Sequence, residues 1–555
     1  MSNQTYTNKG KWKKAILFLA LSIAGVTALT FAIVPTSVLC HAKKPQPATK
    51  QVMPWSEVKK FFLLSSNGSQ IKGVEKGGKQ DYQIMKICAE KGYDGIEIGP
   101  EISSIDKEAF YGPTMFGLGS PIRTISMHNV TSIGSNAFTG CGIVSIELLA
   151  PTTFTYIGEK AFYGCPNFTG FTGATMTLAD DNASIGMQAF QGCPNLTVEF
   201  IKSINFLSTN NIKRFDGDDF AYIAPVDFDF DLDKAWSAGS GCLWAGKIHL
   251  NKQLSLINDH AFSGCASITS IINKGSGIIS SIGAYAFDGC EKLRNITNDD
   301  YTANAVTFSS TNSSAIGEYA FSSCANLSVT FIRSIVLTPG GTALSKHDTT
   351  NYAYFTPNTF SLGESSAYAT NSGCLWAGDV PLNKNATLIS AKAFAGCASI
   401  TSIINNSGGQ ISSIGESAFE GCKNIKKIED GTIKLANDTS SLGEKAFRGC
   451  TNLTIDFLNT ISIVEGNEIK KNSFEDDYTY FAPKDFSPSK DKALSGGSGC
   501  LWAGSDIKFT NLTSICTGAF YGCGSVHSIK IGTNPISIGW DAFMECAPDL
   551  RIIFE

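Results

Sequence analysis

Ser281-Ile282-Gly283-Ala284-Tyr285-Ala286-Phe287-Asp288-Gly289-Cys290-Glu291-Lys292-Leu293-Arg294-Asn295-Ile296 is one copy of a phrase that recurs along the chain. Its centre, Ala-Phe-x-Gly-Cys or a close variant, stands at 137–141, 161–165, 189–193, 261–265, 286–290, 320–324, 393–397, 418–422, 446–450, 519–523 and 542–546. A degenerate copy at 109–113 ends in Pro113 where the others have cysteine. Ser/Ala-Ile-Gly usually precedes the centre, as at Ser132-Ile133-Gly134 and Ser413-Ile414-Gly415. Cys-x-x-Leu/Ile-x-x-Ile follows it, as in Cys265, Ile268, Ile271 and Cys422, Ile425, Ile428. A unit of roughly 24 residues cannot bury its own apolar side, whereas stacked copies bury a continuous one. The expected fold is therefore a repeat solenoid: a parallel stack of β-strands joined by short turns and 3-10 or helical segments.

The physics of one unit assigns its residues. Leu/Ile-x-x-Ile reads as a short strand whose alternate residues face in and out. Ser270 and Ile272 are expected to face outward in one unit, and Ser145 and Glu147 in another. The glycine after Ser-Ile is expected at positive φ, and the glycine before Cys permits a second turn. The repeat core is expected to hold Phe138, Phe162, Phe190, Phe262, Phe287, Phe321, Phe394, Phe419, Phe447, Phe520 and Phe543, each stacked on the next. Beside them stand Cys141, Cys165, Cys193, Cys265, Cys290, Cys324, Cys397, Cys422, Cys450, Cys523 and Cys546. A residue locked to one phase of a solenoid is an interior residue, and free cysteine behaves there as a small hydrophobe. The seventeen cysteines thus read as buried thiols rather than a disulfide framework, despite the export context argued below.

Three gaps between repeat phenylalanines are long: 190–262, 321–394 and 447–520. Each contains Tyr-x-x-Pro-x-x-Phe-like and Gly-Cys-Leu-Trp-Ala-Gly strings, the latter at 241–246, 373–378 and 499–504. Each pair reads as one more repeat with an inserted loop, near 201–241, 332–373 and 458–499. Phe228, Phe360 and Phe486 are then expected to restore the phenylalanine register. Four units made about three times over, followed by a terminal pair, describe the array.

Ser-Ile-Gly-x-x-Ala-Phe-x-Gly-Cys-x-x-Leu-x-x-Ile resembles the BspA-type (Treponema-type) leucine-rich repeat, over about 102–555. The resemblance implies a parallel leucine-rich-repeat solenoid of a surface protein, and adhesion to host, matrix or partner-cell molecules. The long inserts and the Leu-Trp-Ala-Gly units depart from the family pattern.

Other features narrow the function. A formal net charge of -5 gives no basic face for nucleic acid. His41, His128, His249, His260, His347 and His527 are scattered, and no Cys/His cluster has zinc spacing. No nucleophile elbow or phosphate-cradling loop stands in a strand–helix context, so no enzyme and no cofactor are expected. Asp227, Asp229, Asp231 and Asp233 alternate with apolar residues and share one face if extended. They are a weak calcium candidate, since calcium favours oxygen ligands. The run is not an EF-hand loop and its counterparts near Phe360 and Phe486 lack it, so a solvated loop face is the preferred reading. The Asn-x-Ser/Thr sequons at Asn167, Asn195, Asn326 and Asn452 belong to the repeat grammar and read as packing first.

The N-terminus places the chain. Lys9, Lys11, Lys13 and Lys14 precede an uncharged run over 15–34, about the length that crosses a bilayer. An uncleaved anchor, cleavage after Ala42 and lipid attachment at Cys40 all leave the remainder outside the cytoplasm. The expected organisation is a cytoplasmic basic segment (1–14), a membrane segment (15–34), a linker (35–52), a small α-containing cap (53–100) and the solenoid (101–555). The strand-like 551–555 looks like an open sheet edge, expected to self-associate. The functional expectation is a cell-surface binding protein, an adhesin for an extracellular protein or glycan. A surface scaffold without specific ligand is the alternative.

Overall fold

The computed structural model describes residues 51–554 apart from 75–78, 112–113, 180–183, 209–210, 236–240, 300–304, 361–372, 383–385, 406–409, 467, 475, 493–498, 510–511, 513, 533–535 and 540–541. The predicted membrane segment, 15–34, lies outside the described residues. Among those described, no helix is long and apolar enough to cross a membrane.

Each unit is one coil with three sides. On the strand side, Val52–Met53, Gly95–Ile98, Thr124–Met127, Ser145–Leu148 and Gly170–Gly173 form a parallel sheet. Ile96, Ile125 and Ile146 stand opposite one another in register and face the interior. The Ser-Ile pairs form a second, narrower ladder, with Ile105 opposite Ile133 and Ile133 opposite Ile157. The third side is the Phe-x-Gly-Cys turn. Here the backbone N–H of one turn donates to a carbonyl of the next: Gly140 to Tyr163 O at 2.8 Å, Gly164 to Gln191 O at 2.8 Å, and Gly396 to Glu420 O at 2.6 Å. Phe138 stacks on Phe162 (5.2 Å, 5°), Phe262 on Phe287 (5.4 Å, 2°) and Phe394 on Phe419 (5.4 Å, 5°).

The two glycines of the phrase do different jobs. Gly140, Gly164 and Gly192, before Cys, have φ of +72°, +65° and +72°. The glycine after Ser-Ile is not at positive φ, contrary to expectation. It is required because the coils approach too closely for a side chain: a Cβ on Gly134 would lie 2.4 Å from Lys107 N. The left-handed residue comes two positions later and is not glycine, as at Asn136 (φ +57°), Lys160 (+55°) and Lys445 (+58°).

The segments expected to be inserted loops are instead built into the sheets. In each, a one-and-a-half-turn helix replaces the strand of the coil: Val198–Ser203, Val329–Ser334 and Ile455–Thr460. Thr197, Ser328 and Thr454 cap these helices, accepting from the N–H of Phe200, Phe331 and Phe457. An antiparallel hairpin follows: Ile212–Asp216 with Phe220–Pro225, Leu344–Asp348 with Tyr352–Pro357, and Ile469–Phe474 with Tyr478–Pro483. Its second strand pairs antiparallel with the Leu-Trp-Ala-Gly strand, which rejoins the parallel stack on its other edge, as Leu243–His249 does with Ile268–Asn273. Alternating aromatic and β-branched residues such as Phe220, Tyr222 and Ile223 favour this pairing.

Phe228 does not restore the phenylalanine register. Ala235 N–H, not Phe228, donates to Ala261 O, the bond that repeat phenylalanines make elsewhere. The ring space is filled by Trp244, whose indole N–H donates to Ala235 O at 3.0 Å and which meets Phe262 edge-on (6.4 Å, 81°). Trp376 against Phe394 and Trp502 against Phe520 repeat the geometry. Phe360 and Phe486 lean on these indoles, at 5.8 and 5.4 Å, as Phe228 does on Trp244.

The glycine ladder of the turn side takes up none of this extra material. Gly192 N–H donates directly to Gly264 O (3.0 Å), Ser323 to Gly396 O (2.8 Å) and Gly449 to Gly522 O (2.8 Å), across the three inserts. Each insert is therefore a wedge that widens the strand side and bends the stack with the turns inside. The bend is tight enough for Lys423 to reach Glu291 at 2.6 Å past two intervening turns. After the third wedge the last coils meet the first. Asn167 donates to Pro548 O (3.0 Å), Ile552 N–H donates to Gly119 O (3.3 Å), and the Tyr82 ring meets Phe554 edge-on at 5.3 Å. One apolar core holds Ile125 and Phe138 together with Phe543 and Ile552. The solenoid is a closed ring. The expectation of a fully open edge at 551–555 is thereby corrected in part: within the same chain Gly119 pairs with that side of Arg551–Phe554 through a single bridge, and the ladder goes no further.

Candidate binding surface

The repeat core leaves no reactive group at the surface. Its phenylalanines are buried, most of them completely. The repeat cysteines form a ladder beside them. Cys165 donates its S–H to Phe138 O (2.9 Å), Cys193 to Phe162 O (2.9 Å), Cys290 to Phe262 O (3.0 Å), Cys422 to Phe394 O (2.9 Å) and Cys546 to Phe520 O (3.0 Å). In these five the acceptor is the phenylalanine carbonyl one coil back. Cys397, the first after a wedge, has its nearest such acceptor at Ala395 O, 3.8 Å away. All described cysteines are free thiols. Burial pushes the repeat thiols up, and Cys88 to about 12, which suppresses thiolate chemistry.

The acidic run is not extended. It folds into a turn in which Asp233 accepts from Asp229 N–H (2.7 Å) and Asp229 accepts from Asp231 N–H (2.8 Å). Lys252 pairs with Asp229 (2.5 Å) and Asp231 (2.7 Å), and holds the Asp229 carboxyl below its ordinary value. Asp227 stands apart and exposed. Asp491 repeats the Asp233 bond on Ser487 N–H (2.8 Å), so this carboxylate closes a turn in the third wedge as well. Among the described residues no cluster of three or more His, Cys, Asp and Glu is placed to hold a metal.

The histidines are dispersed. His128 pairs with Glu97 (2.9 Å) and His527 with Asp549 (2.8 Å). His260 stacks on Tyr285 (4.8 Å) and Tyr285 on Tyr319 (4.7 Å), in successive left-handed positions of one side. The sequon asparagines act as a ladder: Asn195 donates to Pro166 O (2.7 Å), Asn326 to Glu291 O (2.8 Å) and Asn452 to Lys423 O (2.9 Å).

What remains is the outer strand face, where side chains of neighbouring coils form columns in register. Glu97, Ser126 and Glu147 stand side by side, and Ser126 donates to Glu147 at 2.9 Å. After the first wedge the column is led by Lys247, paired with Asp219 (2.8 Å), then Ser270 and Asn295. After the second it is led by Asp379, which accepts from Thr401 (2.5 Å) and Ser402 (2.7 Å). After the third, Lys508 and Lys530 lie side by side, with Arg551 flanking Ser528. The charged members of the columns thus differ from block to block, and the Asp379 column ends in Lys427. Ser270 and Ile272, expected to be outward, are buried at 8% and 1% exposure. Lys247 and Asn295 flank the one and His249 and Thr297 the other, so each is enclosed between two neighbouring strands. The charged members of the columns escape a repeat-based reading because they are the positions that vary.

Comparisons with known proteins bear on this architecture. A leucine rich cell surface protein from Faecalibacterium prausnitzii is 16% identical, over 89% of this chain and 92% of its own, with a TM-score of 0.19. A leucine-rich repeat protein from Bacteroides ovatus is 15% identical, over 92% of this chain and 84% of its own, with a TM-score of 0.20. The T. pallidum leucine rich repeat protein is 16% identical, over 50% of this chain and 92% of its own, with a TM-score of 0.20. No curated protein matches the sequence. The family described as BspA type leucine rich repeat region matches residues 88–216, 238–372, 366–481 and 501–554, in six copies. With most of its length so matched, the chain belongs to the BspA type leucine-rich-repeat family.

Proposed function

We propose that the chain is a cell-surface binding protein, an adhesin whose outer strand face recognises an extracellular protein or glycan. The observation that carries this reading is the set of charged columns on that face. Glu97 and Glu147, Asp379, and Lys508 and Lys530 stand in register on strands whose inner residues are locked in the core. Such a surface is pre-organised, so a partner loses little free energy in ordering it. Membership of the family and the lysine-flanked apolar run over 15–34 support display outside the cell. In this reading 15–34 anchors the chain, 35–52 is a linker and 53–100 begins the ring.

The test is binding of the full chain to matrix proteins, glycans and cells. A Glu97→Lys/Glu147→Lys variant and a Lys508→Glu/Lys530→Glu variant run beside it. Saturable binding lost in one variant places the site on that block. Binding to nothing overturns the adhesin reading and leaves a rigid surface scaffold.

A further inference from the structure

Where the ring closes, a cleft of about 640 Å³ opens, within the volume range of binding sites. Lys86 and Ala89 of the helix Lys79–Lys91 form one wall, Ser120, Pro121 and Arg123 another, and the strand Arg551–Phe554 the floor. The strand's hydrogen bonding decides what the cleft offers. Arg551 N–H donates to His527 O on one side, and Ile552 N–H to Gly119 O on the other. In a parallel ladder alternate residues turn their peptide groups to opposite sides. The Ile552 C=O and the Phe554 N–H therefore point the same way as the Ile552 N–H, beside Gly119 and into the cleft. The next rung would pair Ile552 C=O with the N–H of residue 121. That residue is proline and has none. The ladder stops after a single bridge, Gly119 to Arg551.

Charge narrows the occupant. Among the described lining residues Lys86, Arg123 and Arg551 face one carboxylate, Glu90, which is 3.9 Å from Lys86; Asp549 lies behind Arg123 and Asp506 near Arg551. Arg551 is exposed. The first 50 residues of the chain contain no Asp or Glu, so they do not match this charge.

We propose that the cleft is a strand-addition site for an extended, acidic segment of a partner polypeptide. Its backbone pairs with Ile552 C=O and Phe554 N–H, and its carboxylate meets Arg551 and Arg123. Apolar side chains of the segment pack on Phe554 and Ala89. Main-chain pairing supplies affinity in this mode and side-chain contacts supply selectivity.

The experiment uses the full chain and fluorescent peptides of alternating valine and aspartate. Controls are the valine–lysine peptide and the acidic peptide methylated at alternate backbone nitrogens. Saturable binding is expected for the acidic peptide alone. Arg551→Glu weakens it by roughly tenfold or more, the scale of a lost charge partner. Ala89→Trp, which fills the cleft, abolishes it. Unchanged circular dichroism and melting midpoint show that both variants fold. Absence of saturable binding, or binding indifferent to methylation and to Arg551→Glu, overturns the proposal. Peptide binding and the binding of matrix proteins, glycans and cells are read in separate assays, so this proposal and the adhesin reading fail separately.

Discussion

At the residue scale, Gly443 and Lys445 show two opposite demands within one turn. A Cβ on Gly443 would lie 2.4 Å from Glu416 N, in backbone that has nowhere to move. Gly443→Ala is expected to destabilise by about 3 kcal/mol, the upper range for overpacking. Lys445 holds a left-handed φ of +58° that glycine adopts freely. Lys445→Gly is expected to stay within about 1 kcal/mol of wild type, since relieved strain offsets the greater freedom of the unfolded chain. Denaturant melts of the two variants check the contrast; equal losses contradict it. The thiol ladder makes a pH prediction. Burial raises the pKa of the repeat thiols above the ordinary 9.0. The fold then retains protons that the unfolded chain releases. The stability contributed is fully present below about pH 9 and is lost as pH rises above it. The thiolate absorbance of the eleven repeat cysteines should stay absent from the folded protein at about pH 10 and appear together with unfolding. Titration of the ladder in a protein that remains folded would refute this.

At the scale of elements, the wedges join coils through one recurrent device. Lys346 donates to Arg333 O (2.7 Å) and Ile335 O (2.9 Å), and Lys471 to Asn459 O (2.9 Å) and Ile461 O (3.0 Å). Arg214 donates to Ile204 O (2.6 Å) in the first wedge. Each cation on the hairpin's first strand satisfies carbonyls at the C-terminal end of the short helix before it, where the helix dipole is negative. Lys471→Met is expected to cost about 1–2 kcal/mol, the scale of a charge-assisted hydrogen bond. Thr454→Ala at the other end of the same helix should cost about 1 kcal/mol. Because both act on one six-residue helix, the double variant should lose less than the sum. Thermal melts of the three variants decide, and full additivity would show that the helix is not one unit.

At the scale of the molecule, closure replaces the exposed ends that a solenoid otherwise has to cap. Solution scattering from the full chain should give a compact particle whose pair-distance curve falls off early. An elongated curve would show that the seam does not hold. Arg448 crosses from the third block to the last coils, with Glu545 at 2.6 Å and Glu420 at 2.9 Å, and its guanidinium lies over Tyr521 at 4.8 Å. Asn167→Ala together with Tyr82→Ala, which removes the contacts with Pro548 and Phe554, is expected to loosen the seam. Hydrogen exchange near 117–123 and 546–554 should rise in that variant and stay at the wild-type level at 394–450.

The repeat itself was legible without a structure. Phe287, Gly289 and Cys290 recur at one phase because each coil meets the same neighbour contacts, and only a stack imposes such monotony. The interior thiols follow from the same phase argument, whereas the turn closed by Asp233, and by Asp491 in the third wedge, did not show in the spacing of the acids. The local role of each glycine did not follow. The sequence marks Gly134 and Gly140 alike, and only the spacing between coils separates a close approach from a left-handed turn. Nor did the fate of the three inserts. Phe228 and Trp244 are equally aromatic, and the choice of Trp244 for the ring space depends on the pairing of Tyr222 with Trp244 across an antiparallel strand. Ring closure lies furthest from the sequence. Asn167 and Pro548, or Gly119 and Ile552, share no pattern that announces their contact. They meet because three wedges each add strands to one side of the stack and no glycine rung to the other, and curvature is a sum over the whole array that no single repeat contains.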